Sequence, residues 1–185
     1  MEFFIRGDNM VDKLLYLNAL LRIYNSNFLN LHWNSVGEEF NDAHKSISTD
    51  YYELCDKYID ATAEMICRLG KNPYNYIEAY NAVIDGANND EVEDVEESGY
   101  KSLLMGFSEE YINNILIVDS SQLYNRSEII KIADKMLYDI VNAITACLSA
   151  EGSNDVINAG IKSDLEAMLG EFDIQYRYIN KRRMA

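Results

Sequence analysis

The chain has 185 residues, 48% of them apolar, and its acidic side chains outnumber Lys and Arg by 31 to 16, for a formal charge of -15. That is the length of one domain with enough apolar material for a single core, and the charge repels phosphate backbones, so DNA and RNA are not expected partners. Three cysteines, Cys55, Cys67 and Cys147, are odd in number and offer no disulfide framework, which suits a reducing compartment.

From Met1 to Asp8 the only apolar patch is Phe3, Phe4 and Ile5, closed by Arg6 and Asp8. It is too brief for an export signal or a spanning helix, so no membrane association and a soluble, cytoplasmic protein are expected. One proline, nine glycines and no clean alternation of β-branched residues point to an all-α chain.

Helix A is predicted from Met10 to His32, with Leu14, Leu17, Leu21, Tyr24, Phe28 and Leu31 stepping by three or four along one stripe. Asn34 to Gly37 breaks it. Helix B is predicted from Glu39 to Leu69, its stripe running through Phe40, Ala43, Ile47, Tyr51, Leu54, Tyr58, Ala61, Met65 and Leu69. Gly70 then supplies a C′ residue and Pro73 a stop. The connection over 71–126 is long and holds an acidic run from Asp90 to Glu97, read as a solvated loop or helix face, and a short helix predicted from Ser108 to Val118.

Helix C is predicted over 127–150, N-capped by Ser127, with Ile129, Ile132, Met136, Ile140, Ile144 and Cys147 inward. Helix D is predicted over 155–181, capped by Asn154 or Asp155, with Val156, Ala159, Leu165, Met168, Phe172, Tyr176 and Ile179 inward. Lys181, Arg182 and Arg183 then place cations at a helix C-terminus. Short A–B and C–D turns and one long crossover make a single-domain four-helix bundle of two antiparallel hairpins.

Only two histidines exist, His32 and His44, one on each side of the A–B turn. A hairpin brings them close, and imidazoles with carboxylates in reach suit iron or zinc. Two unrelated polar residues beside a turn are the plain alternative. Neither histidine has a Glu three residues before it, Leu29 and Asn41 standing there instead, so the Glu-x-x-His ligand pattern of an intrachain di-iron bundle is absent. Asp60 and Glu64, four apart, share one helix face.

The string His32-Trp33-Asn34-Ser35-Val36-Gly37, then Phe40 and His44, resembles the opening signature of the DNA-protection-during-starvation (Dps) family, the mini-ferritins of the ferritin-like superfamily. The resemblance continues from Tyr58 through Asp60 and Glu64 to the ending Arg68-Leu69-Gly70, and beyond helices A and B it rests on length and apolar pattern. It implies a ferritin-like bundle assembled as a hollow shell of twelve copies that oxidises Fe(II) with H2O2 or O2 and stores ferric mineral. The ferroxidase ligands it implies are His32 and His44 from one copy and Asp60 and Glu64 from its two-fold mate. Trp33 would sit beside the metal as a sink for stray oxidising equivalents, or as packing at the contact between copies. The family members that bind DNA do so with Lys-rich tails, whereas this N-terminus has Arg6 and Lys13.

Two departures bear on that site. Ser48 stands where the family usually has an acid, and sixteen residues separate His44 from Asp60, one more than the pattern. At about 100° per residue, the extra one turns Asp60 roughly 160° from His44 instead of roughly 60°. A π-bulge between His44 and Tyr58 would absorb it; in a regular helix, Asp56 or Asp50 would be the substitute acids. A cage with a zinc-filled or degenerate site, or an unrelated helical interaction module, are the competing readings. Residues 85–124 look like an insertion.

Overall fold

The computed structural model describes residues 10–38, 40–81, 115–150 and 156–184. Among them are four long helices, α1 (Met10–Trp33), α2 (Asp50–Arg68), α3 (Arg126–Leu148) and α4 (Val156–Met184). α1 packs along α2 and α3 along α4, and α1 against α3 joins the two hairpins into an all-α bundle.

All six predicted stripe residues of α1 are fully buried. So are Tyr16, Ala19 and Leu20, because α1 is covered by α2 on one side and α3 on another. Polar residues on so enclosed a helix need partners. Asn18 donates to Ile59 O and to Thr62 Oγ1, both at 2.8 Å, and Tyr24 donates to Asp139 Oδ2 at 2.6 Å.

The second helix departs from a regular α-helix at its start. Asp42–Thr49 is an eight-residue π-helical segment that runs directly into α2. It overlaps, from His44 to Thr49, the stretch between His44 and Tyr58 where a π-bulge was one of the two readings of the sixteen-residue spacing. The predicted stripe of helix B holds only in part. Phe40 is 40% exposed and Leu54, Ala61 and Leu69 are half-buried, while Cys55, Thr62 and Ile66 join Tyr51, Tyr58 and Met65 inside.

Gly70 ends α2 as expected, with φ of 77°. Its N–H bonds Cys67 O at 2.9 Å and the Lys71 N–H bonds Ile66 O at 3.2 Å, the paired closure of a Schellman motif. A Cβ here would meet nothing within 4 Å, so the cost of Gly70→Ala is backbone strain alone. It should lower stability by about 1 kcal/mol in urea denaturation; an unchanged midpoint would show that the cap carries no strain.

The crossover corrects two expectations. A short helical stretch over 76–81 was not foreseen, although Asn75 and Glu78 form its capping box: Asn75 Oδ1 accepts from Glu78 N at 3.0 Å and Glu78 Oε2 from Asn75 N at 2.9 Å. Conversely, residues 115–118, the described part of the helix predicted from Ser108 to Val118, are not helical. They lie along α1, where Asn27 Nδ2 donates to Leu116 O at 2.7 Å and Asn27 Oδ1 accepts from Val118 N at 3.1 Å. A side chain thus takes the backbone groups that a helix would have used. The acidic run from Asp90 to Glu97 lies outside the described residues.

α3 is capped by Asn125 in place of Ser127, in a full capping box with Glu128. Its predicted apolar positions are buried except Ile132, which is half-buried, and Ala133, Leu137 and Ala143 join them. In α4, Ile161, Leu165, Met168, Phe172 and Ile179 face the core, whereas Ala159 is exposed and Tyr176 half-buried. The proposed caps Asn154 and Asp155 lie outside the described residues. Across the α2–α4 seam, Lys57 pairs with Glu171 at 2.7 Å and Arg68 with Asp164 at 2.8 Å. These exposed pairs align the helices and add little stability.

Candidate metal centre

His32 lies in the last turn of α1 and His44 inside the π segment, and the turn between them brings the imidazoles face to face. The ring centroids are 3.7 Å apart and the planes inclined by 21°. Phe40 stacks on the far side of His44 at 4.6 Å, and Tyr52 meets His32 edge-on at 5.6 Å. Both imidazoles are half-buried.

Each ring is anchored on the other residue's backbone. His32 Nδ1 is 2.6 Å from His44 O, and His44 Nδ1 is 2.8 Å from His32 O. A carbonyl oxygen only accepts, so both Nδ1 atoms carry hydrogen. In the neutral rings the Nε2 atoms therefore hold the lone pairs, the arrangement by which proteins fix a histidine as a metal ligand.

The two carbonyls have further donors. Ser35 Oγ donates to His32 O at 3.0 Å and Thr49 Oγ1 to His44 O at 3.0 Å, with Thr49 Oγ1 also 3.3 Å from His32 Nδ1. Ser35 and Thr49 thus brace the imidazole pair, and the sequence reading passed over both. Ser35 was legible only as part of the His-Trp-Asn-Ser string, and Thr49 carried no signal because its reach depends on the wide π turn.

The stack also limits what the pair can grip. A metal bound to an imidazole lies in the ring plane about 2.1 Å from nitrogen, and planes 3.7 Å apart at 21° do not meet within that reach. As placed, the rings offer one ligand to each of two neighbouring positions and do not chelate a single ion.

Asp60 and Glu64 are both exposed on α2. Asp60 is eleven residues beyond Thr49, about 16 Å along the helix at 1.5 Å per residue, so one chain does not bring the acids to the imidazoles. Asp50 begins α2, and Asp56 shares the exposed side of that helix with Asp60. Among the described residues no group of three or more His, Cys, Asp or Glu side chains could hold a metal ion. The side chain of Ser48 lies outside the described residues. Trp33, next to His32 in the chain, is 67% exposed, and Val36 and Phe40 on the following turn are exposed too.

No helix among the described residues is long and apolar enough to cross a membrane. No family model matches the chain, and no curated protein does. Solved structures do. The crystal structure of Helicobacter cinaedi CAIP superposes with a TM-score of 0.67 at 15% identity, over 95% of this chain and 99% of that one. The crystal structure of antigen TpF1 from Treponema pallidum gives 0.66 at 14% identity, over 95% and 92%. At these identities the likeness establishes the fold alone: this chain shares a helical-bundle architecture with both proteins.

Proposed function

We propose that the protein is a Dps-like mini-ferritin, a ferroxidase that oxidises Fe(II) between two copies of the chain and stores ferric mineral in a hollow shell of about twelve. The observation that carries this reading is the imidazole pair, each Nδ1 committed to a backbone carbonyl and each Nε2 left to a ligand. Packing alone does not require two half-buried imidazoles locked in the same tautomer.

Within one chain each imidazole would supply one bond, and a transition-metal ion needs more. The missing ligands fit a second copy. Trp33 is exposed beside the pair, and α2 presents Asp60 and Glu64 outward, so a two-fold contact can set the acids of one copy opposite the histidines of the other. Carboxylates bind Fe(II) and hold it as it becomes Fe(III), while H2O2 or O2 takes the electrons. The two non-converging rings suit two adjacent iron positions, or one iron and its bound water. Trp33 would stand against the metal as an alternative electron source. The charge of -15 favours cation entry and disfavours DNA binding, and iron handling of this kind belongs in the cytoplasm, as protection against iron and peroxide.

Aerobic addition of Fe(II) to the protein, followed by ferric absorbance and particle mass, tests the reading. A shell-sized particle whose ferric absorbance grows far faster than in buffer supports it. A shell without oxidation, or one that takes up zinc alone, indicates a structural cage; a particle the size of one chain removes the intersubunit site.

A further inference from the structure

Tyr124, just ahead of α3, and Arg126, which opens it, hold the histidine turn from both sides. On the His32 side, Tyr124 O accepts from Val36 N at 2.9 Å and Tyr124 N donates to Asn34 O at 2.9 Å, a parallel bridge centred on Ser35. On the His44 side, Arg126 Nε donates to Asp42 Oδ2 at 2.7 Å, with both side chains partly buried. Asp42 is the first residue of the π segment and stands two before His44. Between the two contacts Asn125 is fixed by its capping box with Glu128, so both grips spring from one rigid helix start.

The π segment needs such a grip. π-helices are rare and short in proteins, and this one runs eight residues, from Asp42 to Thr49. At its far end Thr49 ties back to His44 O. At its near end the Arg126–Asp42 pair ties it to α3. The reciprocal bonds between the imidazoles tolerate little change in separation, because each ring must reach the backbone that carries the other. A shift of Asp42 relative to Ser35 would break both at once.

We propose that Arg126 is a positioning residue for the metal-binding imidazoles: acting through Asp42, and together with the Tyr124 bridge, it sets the spacing at which His32 and His44 lock each other's tautomer. The metal part of this proposal rests on the reading of His32 and His44 as ligands; the tautomer part does not. A partly exposed ion pair contributes little to global stability, so loss of Arg126 should disturb the site out of proportion to the fold.

The test uses the full-length protein, Co(II) as a coloured probe, and the variants Arg126→Gln, Arg126→Lys, Asp42→Asn and the double Asp42→Asn/Arg126→Gln. Co(II) affinity should fall about tenfold in Arg126→Gln, the lower end of what supporting residues around metal ligands contribute. Arg126→Lys, which keeps the charge without the planar fork, should recover part of it. The double variant should lose less than the sum of the two single losses, since both cut the Asp42–Arg126 link. Native Co(II) affinity in Arg126→Gln, or additive losses in the double variant, would overturn the proposal.

A second readout needs no metal. The His32 and His44 Nδ1–H protons should exchange slowly in NMR spectra of the native protein and about tenfold faster in Arg126→Gln, with the thermal midpoint near native. Unchanged exchange would overturn the proposal. If the native protein takes up no Co(II), the functional reading fails and proton exchange alone decides this one. If Arg126→Gln does not fold, Asp42→Asn carries both measurements.

Discussion

With His32 and His44 both replaced by alanine, Fe(II) oxidation is expected to fall to the rate of iron in buffer while the helices remain. The bundle does not depend on the imidazoles for its core. Both are half-buried at one end of the molecule, and the carbonyls they bond keep Ser35 and Thr49 as donors when the rings are gone. Two lost hydrogen bonds imply about 1–2 kcal/mol of stability. Circular dichroism and urea denaturation check that side, and stopped-flow ferric absorbance checks the other. Oxidation persisting at the native rate in this variant would place the reaction elsewhere in the molecule.

Replacing Asp139 by alanine should cost the fold about 3 kcal/mol, far more than an exposed ion pair would. Asp139 is 4% exposed, accepts from Tyr24 at 2.6 Å, and is paired with Lys135, whose Nζ lies 2.6 Å from Oδ1. Lys135 is 36% exposed at its side chain and can turn to water. The Tyr24 phenol sits at 0% exposure and cannot. Stranding it costs about 1–3 kcal/mol, and the space left by the carboxylate adds about another 1. Asp139→Asn keeps an acceptor for the phenol and should lose less than half as much in urea denaturation; equal losses would mean that the Tyr24 bond contributes nothing.

The same residue gives a pH dependence with a definite sign. Burial holds the Asp139 carboxyl above its ordinary value of 3.8, against the opposing pull of Lys135 and Tyr24. The folded chain then binds this proton more tightly than the unfolded chain does. Its contribution to stability is fully present below pH 3.8 and is lost as pH rises through the raised folded value. Relative to Asp139→Asn, the native protein should therefore gain stability on acidification across that window.

Most of the architecture was legible because apolar spacing survives in a single sequence. The stripe of α1 from Leu14 to Leu31 is buried throughout, and Gly70 closes α2 as its position implied. What was not legible depends on contacts across the chain. Asn125 outcompetes Ser127 as a cap because Glu128 sits at its N3 position and returns the bond. Residues 115–118 give up a helix because Asn27, about ninety positions earlier, captures the backbone of Leu116 and Val118. At the candidate site the sequence supplied the two histidines and a stretch after His44 in which a π-bulge was one reading. It did not supply the mutual Nδ1–carbonyl bonds, Thr49, or the Arg126–Asp42 tie, since each exists only once the turn is folded against α3.

The wide turn at Asp42–Thr49 lets chain length and helix orientation vary independently. Because i→i+5 pairing accommodates a residue that i→i+4 pairing cannot, relatives differing by one deletion here can keep every later side chain of that helix pointing the same way. Gapless alignment through this stretch would then match the wrong acids to the histidines, and a single-codon deletion inside it should be tolerated where the same deletion in the middle of α2 would not.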